Sequence, residues 1–322
     1  MAGCPPWVVM TGPRAVGIRR RYDEIPDRVR SWVDAQLGSP VVSSDEQVGG
    51  MSPGCATRLR CADGRRAFVK AVGPELNPMT PQMFRHEAQM LTHLGANALW
   101  AELQAVLDEP GGWVALLLED VPGRPPDMTR PDDIALVLAG TDQLVEQLSD
   151  RATGLDIATY AQSFTRYDEL WPAIPDLPPG VLPVWARDHA DEFQARQPDL
   201  IASAVGNAVI HNDIRNDNLI VREDGSLVFV DWGVARAGAS WVDPLVVRLE
   251  WVEHPTFDDL VHQSPALANL GDDQVTTFLF TFGAWLAYRT TVAVDTGLPT
   301  LNDFRTRESA RLLEGARRRR CS

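Results

Sequence analysis

The sequence predicts an α+β chain in two parts, a strand-rich amino-terminal part followed by a mostly helical remainder that carries a β-hairpin. Three observations predict it. Short apolar runs bounded by turn residues recur early, at Val41–Val48, Ala56–Cys61, Arg66–Val72 and Trp113–Leu118. Past Pro122-Gly123 the apolar residues recur at helical spacing instead, first as Ile134, Val137 and Leu138, then as Leu144, Val145 and Leu148. Finally, Leu219-Ile220-Val221 and Val228-Phe229-Val230 flank Asp224-Gly225, a pair that favours a tight hairpin turn.

Taken in order, Met1 to Arg21 reads as a disordered leader, because Pro5-Pro6 and late basic residues do not make a signal peptide. The first helix is expected over Pro26 to Leu37, with Val29, Trp32, Val33 and Leu37 on one face. Two strands then flank Gly49-Gly50-Met51-Ser52-Pro53-Gly54, whose glycines allow close backbone approach to a ligand. Lys70 lies in the third strand. Glu87 falls in a helical stretch, Met83 to Leu91, beside the face made by Phe84, Ala88 and Leu91. The clustered Pro and Gly of Val121–Pro126 place a domain boundary there, giving residues 1–122 and 123–322. A later helix is expected over Val184 to Ala195. Ala152 to Leu182 reads as irregular, with Tyr160, Phe164, Tyr167 and Trp171, and Trp241, Glu250, Trp251, Glu253 and Asp259 form another candidate wall. Core packing accounts for at least half of these aromatics.

Composition narrows the class. The 322 residues are 44% hydrophobic and 23% charged, as in a globular protein with room for two lobes. Cys4, Cys55, Cys61 and Cys321 have neither zinc nor disulfide-scaffold spacing, which favours a reducing, cytoplasmic setting. No apolar run reaches the length of a membrane span. A net charge of −14 disfavours nucleic acid as a partner. The charge suits solubility, and a pocket that attracts a cationic acceptor is the narrower reading. Arg317-Arg318-Arg319-Arg320 reads as a frayed helix end near its negative pole.

The stretch from Val209 to Asp243 carries chemistry. His211, Asp213 and Asn218 stand in the spacing H-x-D-x-x-x-x-N, and the hairpin leads to Asp231-Trp232-Gly233. Phosphoryl transfer from a nucleotide needs one carboxylate to take a hydroxyl proton, plus an Asn and a second carboxylate for magnesium. Magnesium wants hard oxygen ligands, which suits Asn218 and Asp231. The hairpin would bring those two to one end of a ribbon.

This stretch resembles the catalytic core of the aminoglycoside phosphotransferase family, which shares the bilobal protein-kinase fold. The resemblance implies that Asp213 is the catalytic base, that Asn218 and Asp231 hold Mg2+, and that His211 supports the loop. Asn212 stands where the family usually has Gly, and Arg215 where protein kinases have a Lys that touches the transferred phosphate. The fold also requires a strand Lys and a helix Glu, for which Lys70 and Glu87 are in place. Gly50 and Ser52 then lie in the phosphate-covering loop, and Glu119 and Val121 in the hinge that binds the base through its backbone. Asp243 is a helix N-cap or a buried brace for the catalytic loop. The implied activity is transfer of the γ-phosphate of ATP or GTP to a hydroxyl of an antibiotic, sugar or related metabolite, by a monomer or dimer, and antibiotic resistance is one role on family grounds. A protein kinase is disfavoured because no A-P-E segment follows Asp-Trp-Gly, and a non-catalytic pseudokinase because the base, both metal ligands and the Lys are present.

Overall fold

A computed structural model describes residues 19–47, 53–292 and 300–321. Along the chain these form α1 (Asp27–Leu37), β1 (Val41–Glu46), β2 (Cys55–Cys61), β3 (Arg66–Val72), α2 (Thr80–Leu94), β4 (Leu103–Asp108), β5 (Val114–Leu118) and α3 (Pro131–Leu148). There follow α4 (Leu170–Ala173), α5 (Val184–Asp188), α6 (Ala190–Ser203), β6 (Ala208–Ile210), β7 (Leu219–Val221), β8 (Leu227–Phe229) and β9 (Arg236–Gly238). The chain closes with α7 (Val242–Arg248), α8 (Phe257–His262), α9 (Asp272–Thr291) and α10 (Leu301–Cys321).

Two compact units divide these elements, and their membership is discontinuous. One takes the described residues up to 137 together with 213–235. The other takes 138–212 and everything described from 236 onwards. The division at 122/123 expected from composition follows chain order, whereas packing carries the hairpin back to the amino-terminal unit.

In the amino-terminal unit, β1-β2-β3-β5-β4 make one antiparallel sheet. Lys70 stands in its middle strand, opposite Ala56 on β2 and Leu116 on β5. Val29, Val33 and Leu37 of α1 pack with Cys55, Leu59, Val69 and Leu117 from the sheet. The sequence reading missed β4, whose half-exposed residues alternate with exposed ones, leaving only a weak apolar signal. Residues 19–21 are not leader. Arg19 bridges Gly54, and the Arg20 N–H donates to the Gly54 carbonyl at 3.0 Å. Gly54 needs its glycine: its φ is +127°, and a Cβ there would sit 2.7 Å from the Ala71 carbonyl.

The hairpin β7–β8 forms as its turn residues require. The Ser226 N–H donates to Asp224 Oδ1 at 2.9 Å, and Leu219 pairs with Phe229. Its β7 strand also pairs with the segment after the hinge, through Arg124 N–H to Val221 O at 3.0 Å and the reciprocal bond at 2.7 Å. Gly123 makes this approach possible, since a Cβ would lie 2.4 Å from the Val221 carbonyl.

The carboxy-terminal unit is built on one large core. Phe193 of α6 stacks on Phe280 of α9 with centroids 3.9 Å apart. The helix expected over 184–195 is two helices, because His189 leaves the helical region (φ −112°, ψ 8°) between α5 and α6. Tyr160, Phe164, Tyr167 and Trp171 are all buried in the core, and so are Trp241 and Trp251. Arginines at the end of α10 are not frayed: Arg318 donates to the Glu253 carbonyl at 2.9 Å, and Arg319 pairs with Asp272 at 2.6 Å. Among the described residues no helix is long and apolar enough to cross a membrane.

Candidate active site

Lys70 reaches two carboxylates. Its Nζ is ion-paired with Glu87 of α2 and lies 2.8 Å from Asp231 Oδ1. Burial alone would lower the Lys70 pKa, but Asp231 and Glu87 outweigh it and hold the ammonium above its usual value. Burial raises Glu87, and Lys70 opposes that rise. Glu87 Oε1 also accepts the Trp232 N–H at 3.4 Å. One helix carboxylate therefore fixes both the strand lysine and the chain just past Asp231. Trp232 is buried edge-to-face against Trp100, with centroids 5.7 Å apart, which anchors the segment from the other side.

Asp231 itself sits at φ +70°, a conformation that costs a non-glycine residue about 1–3 kcal/mol and persists only where its surroundings impose it. The cause is visible on both flanks. Val230 N–H is held by the Asn218 carbonyl at 3.0 Å, and Trp232 is locked by Glu87 and Trp100. Strand pairing thus brings Asn218 and Asp231 to one end of the hairpin.

Asn218 Nδ2 donates to Asp213 Oδ2 and to the Asp213 carbonyl, both at 2.9 Å. With its amide nitrogen committed there, its amide oxygen is the atom left for a cation. Burial drives the Asp213 carboxyl up to about 6, opposed first by Arg215; the side chain is 27% exposed, so water tempers the shift. Arg215 is no surface residue. It is 8% exposed, it forks onto Asp217 at 3.0 and 3.2 Å, and its Nη1 lies 3.2 Å from Asp213 Oδ1. It touches the expected base directly.

A cavity of about 320 Å³ lies beside this group and is lined by Lys70, Glu87, Asn218 and Asp231 together with Phe68, Leu118 and Val121. Neither Asp213 nor Arg215 lines it. At the hinge, the Glu119 N–H is bonded to the Glu102 carbonyl at 2.8 Å, and its side chain holds Arg222 at 2.8 Å. The Glu119 carbonyl and the Val121 N–H carry no hydrogen bond among the described contacts, which leaves an acceptor and a donor two residues apart. Gly50 and Ser52 lie outside the described residues.

Three charged lining residues carry no sequence signal of their place in the site. Arg19, expected in the leader, lines the cavity close enough to Asp231 to feel its charge. Arg58 lines the cavity on β2 beside Phe68, its cross-strand neighbour. Asp120 is buried and ion-paired with Arg58 at 3.1 Å and Arg66 at 2.6 Å. An Arg on an exposed-looking strand gives no signal until pairing shows what it faces.

Asp243, in the carboxy-terminal unit, is 2% exposed and accepts the N–H groups of His211 at 2.7 Å and Asn212 at 2.8 Å. It braces the two residues before Asp213; the N-cap of α7 is Trp241. Asn212 has φ +65°, which explains how Asn serves where glycine is usual, since Asn tolerates this region better than most residues. Burial lifts the Asp243 carboxyl to about 6, against the pull of the two amides.

The donor set fits magnesium of one kind. Among the described residues no three His, Cys, Asp or Glu side chains cluster as a protein-made metal cage. One amide oxygen and one carboxylate suit an ion that keeps water and phosphate oxygens as its other ligands.

The comparison of families matches residues 58–274 to the phosphotransferase enzyme family, APH. The chain belongs to that family. It is a phosphotransferase with a hydroxyl acceptor and a protein-kinase-like α+β fold. No curated protein sequence matches it. Among solved structures it is similar to an aminoglycoside phosphotransferase from Alicyclobacillus acidocaldarius, with 16% identity, a TM-score of 0.55, and coverage of 86% of this chain and 90% of that one. It is also similar to the choline kinase LicA from Streptococcus pneumoniae, with 14% identity, a TM-score of 0.59 and coverage of 89% and 98%. A third is the macrolide 2'-phosphotransferase MphH from Brachybacterium faecium, with 15% identity, a TM-score of 0.54 and coverage of 89% and 97%. At these identities the likeness speaks for the fold alone.

Proposed function

We propose that this phosphotransferase moves the γ-phosphate of ATP or GTP to a hydroxyl of a small molecule, such as an antibiotic, a sugar or a related metabolite. The observation that carries the reading is the Asn218 side chain, which hydrogen-bonds Asp213 while sharing a hairpin end with Asp231. It ties an expected proton acceptor to an expected metal ligand.

Each residue then has a task. Asp213 orients the acceptor hydroxyl and takes its proton, and a carboxyl lifted towards 6 is a better base than an ordinary aspartate. Lys70, steered by Glu87, presents its ammonium to the nucleotide phosphates. Asn218 and Asp231 would hold Mg2+, which when bound neutralises charge on the phosphates. Phe68 offers a ring to the base, and the Glu119 carbonyl and Val121 N–H offer its edge an acceptor and a donor. Solved structures of similar fold are named as kinases of an aminoglycoside, choline and a macrolide, so the fold does not choose the acceptor.

The test is Asp213→Ala, assayed for transfer to a panel of hydroxylated compounds and for nucleotide binding by titration. Transfer should fall about 10²–10⁴-fold while nucleotide affinity holds, because the base acts on the acceptor. Near wild-type turnover in the variant would overturn the assignment.

A further inference from the structure

We propose that the acceptor carries an anionic group, a carboxylate or a phosphate monoester, and that Arg166, Arg236, Arg289 and Arg305 around Trp285 bind it. This deepens the transfer reading and rests on it. All four arginines belong to the carboxy-terminal unit.

They form one connected cluster. The Arg166 guanidinium carbon lies 5.0 Å from the Trp285 ring and 4.9 Å from the Tyr167 ring. Arg289, one turn along α9 from Trp285, lies 5.8 Å from the same indole. Arg305 of α10 donates to the Arg289 carbonyl at 3.2 Å. Arg236 of β9 is close enough to Arg166 that, after burial, its charge is the next influence lowering the Arg236 pKa. Arg305 is lowered in the same order, by burial and then by Arg289.

What singles the cluster out is the company it lacks. The chain has 44 carboxylates to 30 cations, and several other arginines of this unit find them, Arg311 taking Glu308 at 2.8 Å and Arg320 taking Glu192 at 3.2 Å, while Arg187 and Arg248 bond backbone carbonyls instead. None of the four has an ion pair among the described residues. Among the described residues, the Nε atoms of Arg236 and Arg289 are buried without a hydrogen-bond partner. A buried N–H left unmade is unfavourable, and like charges packed together add to that cost. An acidic protein would readily supply an Asp or Glu here if the role were structural. An anion from outside satisfies the donors and the charge together, and guanidinium forks match carboxylate and phosphate oxygens in pairs. The rings of Tyr167, buried in the core, and Trp285 hold the Arg166 guanidinium in place.

Chain connectivity ties the cluster to the expected base. Arg236 pairs across the ribbon with Ile210, the last residue of β6. Ile210 stands three residues before Asp213, a separation the chain cannot stretch beyond about 11 Å. The same four charges would repel a polyamine, so the overall acidity of the chain does not make its acceptor cationic.

The experiment titrates the intact protein with gluconate, glucose 6-phosphate, glucose and spermidine, reading indole fluorescence and heat. At least one anion should bind tenfold or more tightly than glucose, and spermidine more weakly than either anion. The tighter of gluconate and glucose 6-phosphate identifies the group. Arg236→Gln and Arg289→Gln should each weaken that anion about tenfold, with nucleotide affinity unchanged and the melting midpoint level or raised. Glucose or spermidine binding as tightly as both anions, or an anion affinity that survives the double substitution, would overturn the proposal. Transfer is read separately by phosphorus NMR: anion binding that depends on these arginines, with no nucleotide-dependent product, would sustain the anion site and fail the transfer reading.

Discussion

Replacing Asp243 by Asn should separate loop geometry from stability. In the folded protein the carboxylate accepts two N–H groups, one on each oxygen, at 2.7 and 2.8 Å. Asn keeps one acceptor and turns an amide against the second N–H. Burial sets the opposing effect. The folded carboxyl is lifted from 3.8 to about 6, so between those values the folded state holds the proton more tightly than the unfolded chain. A raised carboxyl favours the fold at low pH, and that benefit is lost as pH rises through about 6. Two pH units correspond to about 3 kcal/mol, of which about 2 kcal/mol falls between pH 4.5 and 7.5. Asp213 is lifted to about 6 as well and adds a slope of the same sign, so the difference between variant and wild type isolates Asp243. Guanidinium unfolding across that pH range should therefore show Asp243→Asn gaining on wild type by about 2 kcal/mol. Turnover should fall by about 10², since small misplacements of a catalytic loop cost that much. A stability difference that is flat with pH, or an unchanged kcat, would refute the reasoning.

Arg215→Met should lower kcat with little change in nucleotide KM, because Arg215 contacts Asp213; an unchanged kcat at saturating substrate and magnesium would remove it from the reaction. Asp231→Asn should weaken nucleotide binding chiefly when magnesium is present, so an equal small loss with and without the metal would show that Asp231 is not a ligand. Cys55 and Cys61 are buried with thiol pKa values raised chiefly by burial, and thiol-reagent mapping of the native protein should leave both unlabelled until denaturant is added; rapid native labelling would contradict their placement.

Local chemistry was readable wherever the chain dictates it to its neighbours. Asp224-Gly225 between two apolar runs specifies the hairpin, and the hairpin specifies that Asn218 and Asp231 share an end, so these positions followed from order alone. Lys70 and Glu87 were legible as a strand residue and a helix residue, and α1, β3 and α3 follow from periodicity. The spacing around Asp213 named the reaction class, because few other chemistries need a base, an amide and a carboxylate in that order.

What the tertiary structure decided is which of these side chains meet, and what stands beside them. Lys70 touches Asp231 across 161 positions of sequence, and no local rule encodes that contact. The strain at Asp231 exists because Asn218, Glu87 and Trp100 converge around it from separate elements. Arg215 reads as an ordinary loop cation until burial sets it against Asp213 and Asp217. The discontinuous units arise because the hairpin pairs with the post-hinge segment through Val221 and Arg124, a match set by backbone register rather than side-chain type. The arginines around Trp285 come from a 3₁₀ turn (Ala161–Tyr167), β9, α9 and α10, and only their packing reveals charge without a partner. Sequence encodes what each residue is able to do; desolvation and proximity, which depend on the whole fold, decide what it does.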